Sequence, residues 1–393
     1  MDMIAELTKD FKSLFGEKPK DTFFSPGRVN LIGEHTDYNG GHVFPCAISL
    51  GTYGLVSKRT DQKIRMYSAN FKEIGIIEFD LAMLRYEEKH NWANYPKGVI
   101  DTFSKHGFTV TSGFDLLVYG TLPNGAGLSS SASLEVLMAV ILNELFQLNI
   151  DMIEMVKMCQ QTENQFIGVN CGIMDQFAVG MGKENCAIML DCNTLEFRYS
   201  KIAMDGYKIV IGNTNKRRGL SDSKYNERRA ECERALKDLQ TKRAIGSLGE
   251  LTEAEFEASK DVIEHPVDVK RARHAVYENQ RTLNAVKALE ENDLKQFGQL
   301  MNDSHVSLRD LYEVTGLELD TLAELAWEQK GVIGSRMTGA GFGGCTVSIV
   351  AEADVDAFIE NITPVYTKKI GYAPSFYVAS IVNGAGKLKG GVS

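Results

Sequence analysis

The sequence lacks the features that mark secreted and membrane-spanning proteins. Its seven cysteines are scattered and include no Cys-x-x-Cys pair, which favours reduced thiols in the cytoplasm over a disulfide framework. No stretch approaches the roughly 18 consecutive apolar residues of a membrane span, and the N-terminal region carries charges without an apolar signal-peptide core. We therefore expect a cytoplasmic protein with no membrane partner.

The chain also has no excess of positive charge. Its 43 Lys and Arg residues against 52 Asp and Glu residues give a net charge of -9, which argues against nucleic acid as a partner. An anionic substrate would therefore need a local site of its own. With 393 residues, 44% of them hydrophobic, the chain is long enough for two or three domains with substantial cores. The composition leaves the oligomeric state open.

A glycine- and serine-rich stretch, Pro123 to Ser133, joins a predicted strand to a predicted helix. It lacks the Gly-x-x-x-x-Gly-Lys-Ser/Thr pattern of a Walker loop and contains no lysine. Gly125 and Gly127 permit close approach of the main chain, and the serines lie where the N–H groups of a starting helix have no partners. These properties suit phosphate binding, although an ordinary turn that caps a core helix is the alternative.

A second informative stretch, Phe23 to Gly41, begins as an apolar strand and continues as a dense polar loop. Its central residues offer carboxylate acceptors and groups that both donate and accept hydrogen bonds. Because each sugar hydroxyl can also do both, the loop suits a polyhydroxylated ligand, with a solvated acidic turn as the alternative. The four residues concerned are Glu34, His35, Thr36 and Asp37.

Residues Ser25 to Asn39 and Pro123 to Ser133 resemble the first two signatures of galactokinases, in the superfamily that includes homoserine and mevalonate kinases. Arg336 to Cys345 resembles the third signature, so the similarity spans nearly the whole chain. It implies an α/β (α+β) two-domain small-molecule kinase fold with mixed sheets, flanking helices and an active site in the cleft between the domains. We expect a sugar- and phosphate-loop domain at 1–205 and a helical, ferredoxin-like domain at 206–393.

The resemblance also implies an activity. The γ-phosphate of ATP would pass to the anomeric hydroxyl of D-galactose, giving galactose 1-phosphate and ADP in the first committed step of the Leloir pathway. Asp175 would be the catalytic aspartate that accepts the hydroxyl proton, and Arg28 would lie beside it. The sugar contacts implied are Glu34, His35, Thr36, Asp37 and Tyr225.

The nucleotide and its metal have implied ligands as well. Mg²⁺ would be bound by Ser131 and Glu163, since it prefers hard oxygen ligands and water; by itself, a helical glutamate more often faces solvent. Residues that would contact adenine cannot be predicted. The residues implied at ATP are Ser68, Gly125, Ala126, Gly127, Leu128, Ser129, Ser130 and Ser131.

Two other functions remain open. Another sugar or small-alcohol kinase of the superfamily would keep the phosphate loop without the particular combination of Arg28 and the 34–37 residues. A catalytically silent galactose sensor would resemble this chain closely. Some such relatives, however, have lost residues from the stretch that corresponds to Pro123–Ser133, which we call the serine loop. Here Ser129 to Ser133 is intact, which favours an enzyme.

The rest of the second half is predicted to be chiefly helical as far as about Lys330. We expect the charged faces at 226–243 and 269–291 to be solvated, as well as a basic cluster at Lys216 to Arg218. The glycine-rich tail from Gly384 to Ser393 is predicted to be mobile.

Overall fold

The computed structural model describes residues 3–123, 126–202, 206–216 and 221–388, with the main chain alone at 221–223. The helices are α1 Met3–Phe15, α2 Asn94–Lys105, α3 Ser130–Phe146, α4 Met152–Gln161, α5 Met174–Met181, α6 Ser221–Leu239, α7 Glu253–Glu257, α8 Pro266–Glu290, α9 Leu294–Ser307, α10 Gly316–Trp327 and α11 Val355–Ile370. The strands are β1 Asp21–Asn30, β2 His42–Val43, β3 Pro45–Lys58, β4 Lys63–Ser68, β5 Ile77–Asp80, β6 Phe114–Gly120, β7 Cys186–Asp191, β8 Phe197–Lys201, β9 Tyr207–Asn213, β10 Val332–Thr338, β11 Cys345–Ala351, β12 Ser375–Ala379 and β13 Gly386–Lys387.

The strands form three sheets. A six-stranded sheet has the order β13-β1-β3-β6-β4-β5, a four-stranded sheet the order β10-β11-β9-β12, and a three-stranded sheet the order β2-β7-β8. Among the described strands, β4 and β6 form the one parallel pair, so the first sheet is mixed. Helices pack against these sheets, and the predicted α+β fold class is confirmed.

A register shift in β1 directs Arg28 toward the serine loop. The antiparallel pairing of β1 with β3 shifts between Pro26 and Gly27, where proline cannot donate to the ladder. A Cβ at Gly27 would lie 2.8 Å from the carbonyl oxygen of Leu128, so only glycine permits this approach. The N–H of Arg28 then donates to the same carbonyl. Such a bulge re-aims the side chain that follows it.

Helix α3 anchors the serine loop in the core. Its apolar residues are buried on most faces, as expected for a helix that packs between a sheet and other helices. The hydroxyl of Ser133 lies 2.8 Å from the carbonyl oxygen of Ser25 and 2.9 Å from the hydroxyl of Thr52, which ties the helix to β1 and β3. The loop is therefore held between a buried helix and the central strands.

Two predictions for the second half were wrong. The polar face of α8 is not fully solvated: four of its residues pack against the 31–43 segment or beside it, namely His274, Glu278, Asn279 and Thr282. The predicted mobile tail from Gly384 is ordered at its start, since Gly386 and Lys387 pair with Phe24 and Phe23 of β1, and residues 389–393 lie outside the described residues. That pairing returns the C-terminal segment to the first sheet.

Other predictions fall partly or wholly outside the described residues. Lys216 forms an ion pair of 2.9 Å with Glu318, whereas Arg217, Arg218 and Gly125 lie outside them, as does the expected domain junction at 205. Among the helices that the structure does describe, none has the length and hydropathy needed to cross a lipid bilayer.

Candidate active site

A cavity of about 470 Å³ lies where the three sequence signatures meet. It brings together both predicted catalytic residues and the predicted sugar contacts other than Thr36. The predicted residues that line it are Arg28, Glu34, His35, Asp37, Gly127, Ser129, Ser130, Ser131, Glu163, Asp175 and Tyr225. Gly339 and Ala340 of the third signature complete the wall.

A second cavity of about 460 Å³ adjoins the first and shares Tyr95, Ser130 and Ser131 with it. Ser68, a predicted nucleotide contact, lies on its wall together with Trp92. Of the described residues that line either cavity, Arg28 is the one Arg or Lys side chain. The serine loop and the start of α3 thus lie between the two cavities, and the first contains the carboxylates of Glu34, Asp37, Glu163 and Asp175.

Arg28 and Asp175 form a two-point ion pair in the first cavity. The Arg28 Nε donates to Asp175 Oδ1 at 2.9 Å, and Nη2 donates to Oδ2 at 3.0 Å. The remaining guanidinium nitrogen, Nη1, donates to the carbonyl oxygen of Gly127 at 2.8 Å. This planar fork fixes the orientation of the carboxylate more strictly than a single point charge would.

Ser129 also contacts this pair. Its hydroxyl donates to Asp175 Oδ2 at 2.6 Å and makes no capping bond to α3. The main chain of Ser129 has φ of 61°, in the left-handed region, which serine adopts at a cost. Strain of this kind persists where the surroundings hold it, and here it places the hydroxyl on the Asp175 carboxylate instead of on the helix end.

Both carboxylate oxygens of Glu34 accept hydrogen bonds from protein groups. Oε2 accepts from Arg336 Nη1 at 2.9 Å and from Asn30 Nδ2 at 2.7 Å, and Oε1 accepts from the N–H of Gly339. Burial raises the pKa of Glu34, while the charges of Arg336 and Arg28 oppose the rise. The third signature thus helps to orient a predicted sugar contact.

Asp37 is the most perturbed carboxylate on the sugar side. Burial, followed by the nearby charge of Asp175, raises the pKa of Asp37 to about 7. Gly172 passes so close that a Cβ there would lie 1.9 Å from Asp37 Oδ2, so a larger residue would displace the Asp37 side chain. The site therefore places a second carboxylate beside Asp175.

His35 and Thr36 have different surroundings although they are adjacent. The His35 ring lies against Tyr312 and Tyr225, with ring centroids 4.7 and 5.8 Å away, and burial lowers the pKa of His35 to about 3. The Thr36 hydroxyl points away from the cavity wall, toward the carbonyl oxygens of Gly33 and His42 at 2.8 and 2.7 Å. The Thr36 side chain thus supports the loop and does not line the cavity, and its sugar contact stays a prediction.

Ser131 and Glu163 meet at the boundary of the two cavities. The Ser131 hydroxyl donates to Glu163 Oε1 at 3.0 Å, and Glu163 lies in a π-helical turn, Thr162–Ile167, that follows α4. Such turns are frequent at functional sites. Burial, followed by the charge of Asp175, raises the pKa of Glu163 to about 7. A cation beside this carboxylate would favour its ionised form and offset the cost of burying the charge.

Sequence reasoning missed the residues that support Glu163. Gln176 Nε2 donates to Glu163 Oε2 at 2.6 Å and to Glu135 Oε2 at 3.0 Å. Glu135 is fully buried, and burial raises its pKa well above the usual range. Both residues lie next to predicted motifs, Glu135 just after the serine loop and Gln176 directly after Asp175, and this adjacency was the available signal.

A second group of missed residues supports the loop around residues 33–42 from behind. His274 Nε2 lies 3.1 Å from the carbonyl oxygen of Glu34, Glu278 Oε1 accepts from the N–H of Gly33 at 3.0 Å, and Asn279 Oδ1 accepts from the N–H of His42 at 2.8 Å. Their spacing on α8 places them near one another on the helix. The sequence contained that spacing, but a solvated polar face has the same pattern.

The chain matches three domain families. Residues 9–58 match the galactokinase galactose-binding signature, residues 94–183 the N-terminal domain of GHMP kinases, and residues 285–366 the C-terminal domain of GHMP kinases. Solved structures agree at the level of fold: a mevalonate kinase with 17% identity superposes with a TM-score of 0.66 over 92% of this chain and 99% of that chain.

Curated relatives are much more similar. A galactokinase of Clostridium acetobutylicum is 68% identical over 388 residues, covering 99% of this chain and 100% of the relative. A galactokinase of Fusobacterium nucleatum is 61% identical over 389 residues, covering 98% and 100%. The crystal structure of Lactococcus lactis galactokinase complexed with galactose is 53% identical, with a TM-score of 0.96 over 98% of this chain and 100% of that chain. The chain therefore belongs to the galactokinase family of the GHMP kinases, as its three signatures predicted.

Proposed function

We propose that Asp175 and Arg28 are the catalytic pair with which this enzyme transfers the γ-phosphoryl group of ATP to the anomeric hydroxyl of D-galactose. The products are galactose 1-phosphate and ADP, and the reaction is the first committed step of galactose catabolism by the Leloir pathway. The observation that carries the assignment is the two-point Arg28–Asp175 pair, which lies between the serine loop and the 34–37 loop. A proton acceptor there can reach a sugar hydroxyl that faces the phosphate loop.

The sugar would be held by carboxylates that face one cavity. Glu34 and Asp37 supply acceptors for its hydroxyl protons, with Asp37 assigned to the O3 and O4 edge and Glu34 to O6. His35 and Tyr225 supply an aromatic wall with polar edges. Thr36 is not included in this set. Fixed acceptors of this kind discriminate between epimers because a misplaced hydroxyl leaves a buried polar group without a partner.

The nucleotide would lie along the serine loop and extend into the second cavity. Main-chain groups from Ala126 to Ser131 would face the phosphates, and Ser68 would contact the nucleotide. We assign Mg²⁺ to Ser131 and Glu163, whose oxygens are 3.0 Å apart. Within the described residues there is no group of three or more His, Cys, Asp or Glu side chains suited to a metal, which fits an ion that takes its other ligands from water and phosphate. When bound, Mg²⁺ neutralises charge on the phosphate oxygens.

In the proposed reaction Asp175 orients the anomeric hydroxyl and takes its proton as the oxygen attacks the γ-phosphorus. Arg28 fixes the carboxylate through Nε and Nη2. Its positive charge also stabilises the negative charge that develops on the transferred group. Ser129, through its bond to Oδ2, restricts the carboxylate to one rotamer. The protein thus supplies alignment and charge, which phosphoryl transfer chiefly requires.

The test is an ATP-dependent phosphorylation assay with galactose, glucose, talose, galactosamine and non-sugar alcohols, in which NMR identifies the phosphorylated oxygen. Galactose should be preferred, with phosphate on the anomeric oxygen and one ADP formed per product. Phosphate on O6, or equal activity on glucose, would contradict the proposal. Binding of galactose and ATP without turnover would instead indicate a sensor.

A further inference from the structure

A chain of hydrogen-bonding groups runs behind the sugar cavity from Cys232 to His35. The Cys232 Sγ lies 3.2 Å from the Tyr312 hydroxyl, that hydroxyl lies 2.7 Å from the Tyr38 hydroxyl, and the Tyr38 hydroxyl lies 2.9 Å from His35 Nδ1. We call these four groups the hydroxyl chain. His35 and Tyr38 belong to the loop that follows β1, Cys232 to α6, and Tyr312 to the π-helical turn Leu308–Tyr312. Cys232, Tyr312 and His35 are buried.

The hydroxyl chain ends at the His35 ring, whose Nε2 has no side-chain partner among the described residues. His35 Nε2 is buried, and although the main chain of Ala340 lies close enough to act on the ring, no hydrogen bond to Nε2 forms, so His35 can bond a ligand in the cavity that it lines. The ring cannot easily swing away, because Tyr312 packs against it and Asn39 Nδ2 donates to the His35 carbonyl oxygen at 2.7 Å. A buried polar atom left without a partner is costly, so a ligand that bonds Nε2 recovers that cost.

The protons in the hydroxyl chain allow two arrangements in which each tyrosine hydroxyl donates one hydrogen bond and accepts one. Each tyrosine hydroxyl has one proton, so if Tyr38 donates to His35, Tyr312 must donate to Tyr38 and the thiol must donate to Tyr312. His35 then carries its proton on Nε2 and offers a donor to the cavity. If every bond runs the other way, His35 carries its proton on Nδ1 and offers an acceptor. Because burial keeps His35 neutral, it has one ring proton to place.

The buried end of the hydroxyl chain can supply the proton that the first arrangement requires. Burial raises the pKa of Cys232 to about 12, so its thiol keeps a proton. The Tyr312 oxygen, 3.2 Å from this sulfur, can accept that proton, which leaves the Tyr312 proton for the Tyr38 oxygen. The main chain of Ala340, on the cavity wall, also favours a proton on the His35 ring.

We propose that Tyr38 and Tyr312 are positioning residues that hold His35 with its proton on Nε2, so that His35 donates to one sugar oxygen. This inference rests on the proposed function, since it takes galactose as the occupant of the cavity. A hydroxyl that accepts from His35 keeps its own proton for a carboxylate on the same wall, either Glu34 or Asp37. The hydroxyl is then fixed as acceptor on one side and donor on the other, which adds to selectivity.

The experiment uses Tyr38→Phe and Tyr312→Phe in the full-length enzyme. Tyr366→Phe is the matched control, because its buried hydroxyl bonds the carbonyl oxygen of Thr214 away from both cavities. Tyr38→Phe should raise the KM for galactose about tenfold, with kcat and the KM for ATP changed less than about twofold. Tyr312→Phe should have a smaller effect in the same direction, because Tyr38 can still donate to His35.

Two further measurements separate positioning from a general loss of packing. The KM values of the wild type and of Tyr38→Phe are then compared for 2-, 3-, 4- and 6-deoxygalactose. The rise in KM caused by Tyr38→Phe should be absent for the one sugar that lacks the hydroxyl bonded by His35. Nitrogen-15 NMR of the histidine rings, assigned with a His35→Gln variant, should show the Nε2–H tautomer in the wild type and its loss in Tyr38→Phe. A wild-type proton on Nδ1, or an unchanged galactose KM in Tyr38→Phe, would overturn the inference. Absence of galactose phosphorylation by the wild type would overturn the proposed function instead, and the tautomer would remain measurable.

Discussion

Arg28 and Asp175 are 147 positions apart in the sequence, yet two hydrogen bonds of 2.9 and 3.0 Å join their side chains. The bulge in β1 and the start of α5 bring the two side chains together. The remaining guanidinium nitrogen of Arg28, Nη1, donates a hydrogen bond to the Gly127 carbonyl oxygen. The geometry makes the two residues one unit, whose parts should not be replaceable independently.

Asp175→Asn should lower kcat by about 100-fold to 10,000-fold, the range expected when a proton acceptor is lost. The amide keeps the shape of the carboxylate, so galactose binding should survive better than turnover. Combining Asp175→Asn with Arg28→Ala should cost less than the sum of the single effects, because residues acting as one unit lose their shared function once. Steady-state kinetics and galactose titration of the three variants measure this.

Arg65→Ala is the control for the loss of a two-point pair, since Arg65 contacts Asp115 through bonds of 2.7 Å and lines neither cavity. Arg65→Ala should lower the free energy of unfolding and leave kcat near the wild-type value. Near wild-type turnover in folded Asp175→Asn would exclude proton acceptance as the role of Asp175 and leave positioning as the explanation.

Gln176→Leu should weaken the use of Mg²⁺, because it frees Glu163 Oε2 from the 2.6 Å bond that orients it. Loss of a group that orients a metal ligand typically costs about 10-fold to 100-fold in metal affinity. Ser131→Ala and Glu163→Ala, which remove the assigned ligands themselves, should cost at least as much. The Mg²⁺ concentration for half-maximal activity is the measurement, and the KM for galactose should change little.

Gln165→Leu makes the same substitution at an exposed position of the same π-helical turn and should leave Mg²⁺ dependence unchanged. If Gln176→Leu and Glu163→Ala both retained the wild-type Mg²⁺ dependence, the metal assignment would be wrong. A loss of folding would appear separately in circular dichroism spectra of each variant.

Thr36→Val should destabilise the protein in the absence of galactose. The substitution removes the hydroxyl that donates to the Gly33 and His42 carbonyl oxygens. Leaving buried acceptors without a hydrogen bond lowers the free energy of unfolding by about 1–3 kcal/mol. Thr36→Ser should retain most of the stability. Denaturant unfolding measures the change, with Thr111→Val at an exposed position as control. Unchanged stability with impaired galactose binding would restore Thr36 as a sugar contact.

The sequence was most informative where function concentrates residues in short stretches. Glu34, His35 and Asp37 are nearly adjacent, so one loop could be predicted to face a ligand, and the alternation of strand and helix around the serine loop predicted its place. The direction of the Thr36 side chain could not be predicted, because neighbouring loop residues can face opposite ways and a loop has no periodic pattern.

Long-range partners could not be predicted in the same way. Arg336 reaches Glu34 across 302 positions, and His274 approaches the Glu34 carbonyl across 240. Such contacts depend on how sheets and helices pack, which local propensity does not determine. The polar face of α8 illustrates the limit, since a solvated face and a buried network both place polar residues at helical spacing.

Asp37→Asn should make the protein more stable than the wild type at pH 8 and lose that advantage toward pH 4. Burial raises the pKa of Asp37 from its ordinary value of 3.8 to about 7, so between these values the folded state binds more protons than the unfolded state. Wild-type stability therefore falls as pH rises through this window, by about 1.4 kcal/mol per pH unit and on the order of 4 kcal/mol in all. Asparagine cannot ionise, so the variant escapes this loss while binding galactose more weakly. Denaturant unfolding without galactose between pH 4 and 8 measures the difference, and Asp10→Asn, at an exposed position of α1, should show no such trend. A difference between Asp37→Asn and the wild type that stayed constant across this range would mean that Asp37 is ionised throughout, and the raised pKa would be wrong.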